Sequence, residues 1–227
     1  MQETENPWKV TAERKVYENP WISLTEYDVI NPGGGKGIYG KVHFRNIAIG
    51  VIPMDQQGNI WLVGQYRFAP GHYSWEIPEG GGPVGTDPLA SAQRELKEET
   101  GLVALNWEKL LEMHLSNSVS DEFGIIYLAT GLEQQEAQPE ETEQLTVRRL
   151  PLSEAYRMVL AHEITDSLSV AAIQQLWIRS LQNTPTQHVQ EISEEGIITC
   201  RRTSACPGSP ARGNDPRTDI HAEQCRR

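Results

Sequence analysis

No apolar run among the 227 residues approaches the ~20 that a membrane-spanning helix needs. The opening MQETENPWKV lacks a basic start followed by an apolar stretch, so no secretory signal is expected. A cytoplasmic protein without a membrane partner is the expectation that follows. Basic residues are also in deficit: 20 Lys and Arg stand against 31 Asp and Glu, for a net charge of -11. That balance argues against general affinity for nucleic acid or anionic membrane. Cysteine is scarce. Cys200, Cys206 and Cys225 all lie late in the chain, their number is odd, and their spacing fits no zinc pattern. Incidental thiols are expected there, not a disulfide or a metal site.

What is present suits a globular protein. Hydrophobic residues make up 38% and charged residues 22%, enough to build a core and keep it in water. The length allows one well-packed domain with residues to spare. Residues 1–45 read as a β-rich lead-in. Ile22–Ile30 and Gly40–Phe44 flank the glycine run of 31–37 as a hairpin would. That run has no Gly-Lys-Ser/Thr ending and no following helix, so it is a turn and not a phosphate loop. From 46 to 182 the pattern is a mixed α and β core. Strands are expected at 47–53, 60–66, 74–78, 109–115, 124–130 and 144–150, and closing helices near 153–162 and 167–181. Asp166 or Thr165 would cap the last helix. From 183 to 227 six Arg balance six acidic residues with little apolar periodicity, as in a flexible tail.

One helix is signalled strongly. Thr86 or Asp87 offers an N-cap, Pro88 suits the first helical position, and Gly101 follows the end. A glycine-rich loop at 80–85 leads into it. Leu89, Ala92 and Leu96 recur at helical spacing and should face the core. Glu95, Glu98 and Glu99 fall on one side at i,i+3 and i,i+4, where like charges repel. Hard oxygen ligands gathered this way suit Mg²⁺ or Mn²⁺ and offset the repulsion between an acidic protein and an anionic substrate.

Gly80, Arg94, Glu95, Leu96, Glu98, Glu99, Gly101 and Leu102 match the pattern G-x5-E-x7-R-E-U-x-E-E-x-G-U, U being apolar. The chain thus resembles the Nudix hydrolases, with Thr86 in place of the first glutamate. In the family that glutamate usually supports loop and helix geometry, so the departure bears on the loop more than on the chemistry. Gln65-Tyr66-Arg67 and Trp75-Glu76-Ile77-Pro78-Glu79-Gly80 resemble the ADP-ribose and nucleoside-diphosphate-sugar pyrophosphatases. The resemblance spans about residues 8–181. It implies an α+β fold, a Nudix α/β/α sandwich with a mixed β-sheet, preceded by a small N-terminal β-sheet that forms a homodimer.

The resemblance also implies roles. Glu95, Glu98, Glu99 and the Glu79 carbonyl would hold Mg²⁺, joined by Glu143. Glu141 would be the general base, and Glu98 and Arg94 would complete the catalytic group. Arg67, with Glu76, would meet the substrate phosphates, as a guanidinium can do bidentately. Trp21 would stack on the base, although a buried hairpin tryptophan is an equal alternative. Ser116–Glu122 reads as a loop beside the site with no role assigned. The expected reaction is hydrolysis of ADP-ribose or a similar nucleoside-diphosphate sugar to a nucleoside monophosphate and a sugar phosphate. Two rivals remain. A Nudix enzyme acting on nucleoside triphosphates or dinucleoside polyphosphates is disfavoured by the long lead-in. An inactive nucleotide-sugar-binding Nudix domain is disfavoured by the intact Arg94-Glu95…Glu98-Glu99.

Overall fold

The computed structural model describes residues 5–136 and 144–183. Glu141, Glu143 and the expected tail lie outside the described residues. Strands β1 (Lys9–Glu18), β2 (Ile22–Ile30) and β3 (Lys36–Phe44) form an antiparallel sheet in that order. The turn between β2 and β3 is tighter than the glycine run suggests, because Asn31 organises it. Its N–H meets Gly35 O at 2.9 Å and its side chain accepts the Gly35 N–H at 3.0 Å. Gly34 supplies the positive φ of 85° this closure needs.

The core holds β4 (Asn46–Pro53), β5 (Asn59–Arg67), β6 (His72–Glu76), β7 (Glu79–Pro83), β8 (Leu102–His114), β9 (Phe123–Gln134) and β10 (Thr146–Pro151). One sheet has the order β7-β4-β9-β8, with β4 and β9 parallel and the other pairs antiparallel. A second has the order β10-β5-β6. Helix α1 (Pro88–Thr100) covers one face of the mixed sheet, and α2 (Leu152–Leu160) and α3 (Ser167–Asn183) cover the other.

The alternation of side chains along β4 and β9 produces this layering. Ile49, Val51, Ile125, Tyr127 and Ala129 pack with Ala92 and Leu96 of α1. Ile52 and Ile126 point the other way, into a cluster with Met158, Ile173 and Leu176. Each fully buried aliphatic side chain there contributes about 1.5–3 kcal/mol. Among the described residues no helix is long and apolar enough to cross a membrane.

One local expectation is corrected. The glycines expected to form a loop at 80–85 belong largely to β7, paired with β4 from Asn46↔Pro83 to Gly50↔Glu79. Glycine is needed here for close approach, not for a bend. A Cβ at Gly80 would overlap the Glu95 carboxylate, and one at Gly81 would sit 2.6 Å from Asn46 Nδ2.

Candidate active site

The turn after β7 delivers α1 with its carboxylates aimed back at the glycine strand. Asp87, not Thr86, is the N-cap, accepting the Leu89 N–H at 3.0 Å, and Pro88 begins the helix. Thr86 serves the turn instead, donating its hydroxyl to Pro83 O at 2.7 Å. The residue at the departed glutamate position thus still braces the entry to the helix. Gly101 ends α1 in the left-handed region at φ 71°, its N–H returning to Lys97 O.

Along α1, Glu95 and Glu99 are buried and Glu98 is half-buried. Arg94 gathers two of them: Nη2 lies 2.6 Å from Glu95 Oε1, and Nη1 lies 2.7 Å from Glu98 Oε2. Nη2 also donates to Gly81 O at 3.0 Å, binding helix to strand. Burial would lower the Arg94 pKa, but Glu95 and Glu98 outweigh it and the guanidinium is held more firmly charged. Glu99 reaches the other way, its Oε2 accepting the Glu79 N–H at 3.0 Å. Among the described residues no three acidic, His or Cys side chains close into a metal-holding group. Arg94 engages Glu95 and Glu98, while Glu99 turns to the backbone.

Arg67, at the end of β5, is the hub on the other side. Its Nε lies 2.9 Å and its Nη2 2.6 Å from Glu76 Oε2, and Nη2 is 2.6 Å from Glu79 Oε1. Burial again works against the charge, and Glu76 and Glu79 overcome it. Glu76 is only 3% exposed, so it buttresses Arg67 from behind. Glu79 is pushed well above the usual carboxyl range by burial, with Asp166 and Glu76 adding to it and Arg67 opposing. Its Oε2 is buried with no hydrogen-bond partner among the described residues. It faces another carboxyl group, that of Asp166, which adds to the rise. A buried carboxyl oxygen without a hydrogen-bond partner is costly. With the carboxylates of α1 it supplies oxygen donors of the kind a divalent cation takes, although among the described residues they are not gathered around one point.

These residues border a pocket of about 470 Å³. Arg67, Glu79, Gly80 and Gly81 line it, with Trp21 from the turn between β1 and β2 and Phe44 from the end of β3. Trp21 is 66% exposed, which removes the buried-hairpin alternative and leaves its indole face available at the rim. Glu76 and the three helix carboxylates of α1 are not among the lining residues, although Glu76 pairs with Arg67 and Glu99 with the Glu79 N–H. Three polar lining residues have no counterpart among the sequence candidates: Asn46, Glu122 and Asp166. Asp166 does cap α3, accepting from Ser169 N and Oγ at 2.8 Å each, but it also faces the site. Glu122 is raised by burial and by Asp166. Glu122 ends the loop expected beside the site and Asp166 was expected as a cap, but only packing brings them together with Asn46 in one pocket.

Residues 44–170 match the NUDIX domain family, and residues 8–42 match the nucleoside diphosphate sugar hydrolase N-terminal domain. The chain belongs to the Nudix family. This Nudix hydrolase is 37% identical over 174 residues to the ADP-ribose pyrophosphatase of Mycobacterium tuberculosis, covering 74% of this chain and 83% of that one. It is 29% identical to the ADP-ribose pyrophosphatase of Bacillus subtilis, over 75% of this chain and 93% of the relative. A crystal structure of an ADP compounds hydrolase superposes with a TM-score of 0.70 at 18% identity, covering 79% of this chain and 98% of that chain. The likeness to that structure is one of fold. The chain is a pyrophosphate hydrolase of the Nudix type, with the mixed-sheet α+β architecture that its sequence resemblance implied.

Proposed function

We propose that this Nudix hydrolase cleaves the pyrophosphate bond of ADP-ribose, or of a related nucleoside-diphosphate sugar, with Mg²⁺ or Mn²⁺ as cofactor. The observation that carries this reading is the pairing, in one pocket, of Arg67 with the exposed Trp21 at the rim. A guanidinium suits a diphosphate and an indole face suits a base. A volume of about 470 Å³ falls within the ~300–1,000 Å³ of small-molecule sites. The names of the two curated relatives point the same way.

The Glu79 carbonyl, Glu95, Glu98, Glu99 and Glu143 would hold the metal, and Arg94, which pairs with Glu95 and Glu98, would keep those two carboxylates in place for it. The chemistry that Mg²⁺ would supply when bound is charge neutralisation on the diphosphate and a lowered pKa for a water. Glu141 takes the proton from the attacking water. Water adds to one phosphorus, and the bridging oxygen leaves with the other phosphoryl group. From ADP-ribose the products are AMP and ribose 5-phosphate. Glu76 and Glu79 take up Arg67 Nε and Nη2 and fix the guanidinium plane, which leaves Nη1 to meet a phosphate oxygen.

The active unit is proposed to be a homodimer. Val10, Val16, Tyr17 and Ile38 of the N-terminal sheet are exposed, an apolar surface that a second copy would cover.

The test is a substrate panel of ADP-ribose, GDP-mannose, UDP-glucose, dGTP and diadenosine polyphosphates, with products resolved by chromatography. The highest kcat/KM is expected for a nucleoside-diphosphate sugar, ADP-ribose first. Preference for dGTP would overturn the substrate assignment.

A further inference from the structure

Strand β3 does not end in a bare edge. Val42 N–H donates to Val119 O at 2.8 Å, and Asp121 N–H donates to Val42 O at 3.2 Å. The loop of residues 116–121 thereby runs parallel to β3 through the bridge Val42↔Ser120. The Tyr39 hydroxyl donates to Ser118 O further along. Asp121 closes the join with both carboxylate oxygens. Oδ1 accepts the Phe44 N–H at 3.0 Å, and Oδ2 lies 2.8 Å from His43 Nδ1 and 3.5 Å from Lys41 Nζ.

The two ends of that loop are pocket residues. Leu115 precedes it and Glu122 follows it, and Leu115 N–H bonds Glu122 O at 3.3 Å to close its base. Phe44, whose N–H Asp121 accepts, lines the same pocket, as does Trp21. The N-terminal sheet and the loop are therefore two walls of one cavity, and Asp121 joins them beside Phe44, as Tyr39 does further along.

We infer that Asp121 is a positioning residue: it clasps the loop of residues 116–121 to β3 and so fixes Leu115 and Glu122 opposite Trp21 and Phe44 around the substrate. The inference deepens the proposed function and rests on it for the identity of the ligand. Burial would raise the Asp121 carboxyl, but the His43 hydrogen bond and the Phe44 N–H outweigh it and hold the group below its ordinary value. An ion pair this exposed contributes little. The Phe44 N–H, which an oxygen at position 121 must accept, is the contact that distinguishes substitutions.

The experiment compares Asp121→Ala with Asp121→Asn in steady-state kinetics on ADP-ribose, and in hydrogen exchange of segments 39–44 and 115–122. Loss of one charge-assisted hydrogen bond is expected to raise KM about tenfold in Asp121→Ala, with kcat within about threefold. Asp121→Asn keeps an oxygen for Phe44 and should return KM to within about twofold of the parent. Exchange should quicken in both segments of the Ala variant and stay slow in the Asn variant. Unchanged exchange in Asp121→Ala would show that there is no clasp. Faster exchange with an unchanged KM would show that the clasp does not serve the pocket. A parent enzyme that hydrolyses no nucleoside-diphosphate sugar defeats the substrate reading, and the clasp is then decided by exchange alone.

Discussion

The Glu79 backbone N–H donates to Glu99 Oε2 at 3.0 Å, so a carboxylate of α1 fixes the first residue of the glycine strand. Glu99 is 3% exposed, and removing its oxygen would strand a buried donor. Glu99→Ala is expected to lose about 1–3 kcal/mol in urea denaturation. Glu99→Gln keeps an acceptor and should lie close to the parent. Equal stability of the two variants would show that this hydrogen bond does not hold the strand.

Gly80→Ala tests the packing of β7 on α1. The added Cβ would overlap Glu95 Oε1, so the carboxylate must move. Overpacking of this kind costs about 1–3 kcal/mol. Activity should fall further than that loss of stability explains, because Glu95 would be displaced from the proposed metal-binding group. The check is kcat at a temperature where both proteins are fully folded.

Ser169→Ala tests how α3 is seated on the site. The fully buried Ser169 Oγ accepts the Ile77 N–H at 2.9 Å and donates to Asp166 Oδ2 at 2.8 Å. Alanine leaves the Ile77 N–H without a partner. The expected cost is about 1–3 kcal/mol in chemical denaturation.

Asp55 gives a pH prediction. Burial raises its carboxyl, but the Arg149 guanidinium and the Asn59 and Gln57 N–H groups outweigh it and hold it at about 2 instead of 3.8. A depressed pKa stabilises the fold above the ordinary value, and that stability is lost as pH falls through about 2. Asp55→Asn keeps an oxygen for the turn but loses the charge opposite Arg149. It should cost about 1–2 kcal/mol at neutral pH. The gap should narrow between about pH 4 and pH 2, as thermal denaturation at a series of pH values would show.

Helix α1 was legible in the sequence because its signals are local. Asp87, Pro88 and Gly101 act on the backbone beside them, and Leu96 reports the buried face by spacing alone. The fold class was reached by resemblance, through the motif of residues 80–102, and not from any pattern along β4 or β9. The glycines of β7 were misread as a loop because the reason for them, the Glu95 carboxylate, lies fifteen residues on in Glu95 relative to Gly80. The pocket wall was illegible for the same reason, more strongly. Asp121 and His43 are 78 residues apart, and nothing near either residue announces the other. Asp166 was visible as a helix cap, but its approach to Glu79 and Arg67 follows only from packing α3 over the mixed sheet. Arg67 and Trp21 were reached by resemblance, and their geometry shows what each can offer a ligand.

The most direct measurement is release of AMP from ADP-ribose by the parent and by Glu99→Gln, each with Mg²⁺ and with the metal removed by chelation. One AMP and one ribose 5-phosphate per ADP-ribose are expected from the parent with Mg²⁺, and none on that timescale after chelation. Glu99→Gln should be slower by orders of magnitude while unfolding at the parent's temperature. Near-parent, Mg²⁺-dependent turnover by that folded variant would contradict the assignment of Glu99 to the metal, and undiminished turnover after chelation would contradict the metal itself.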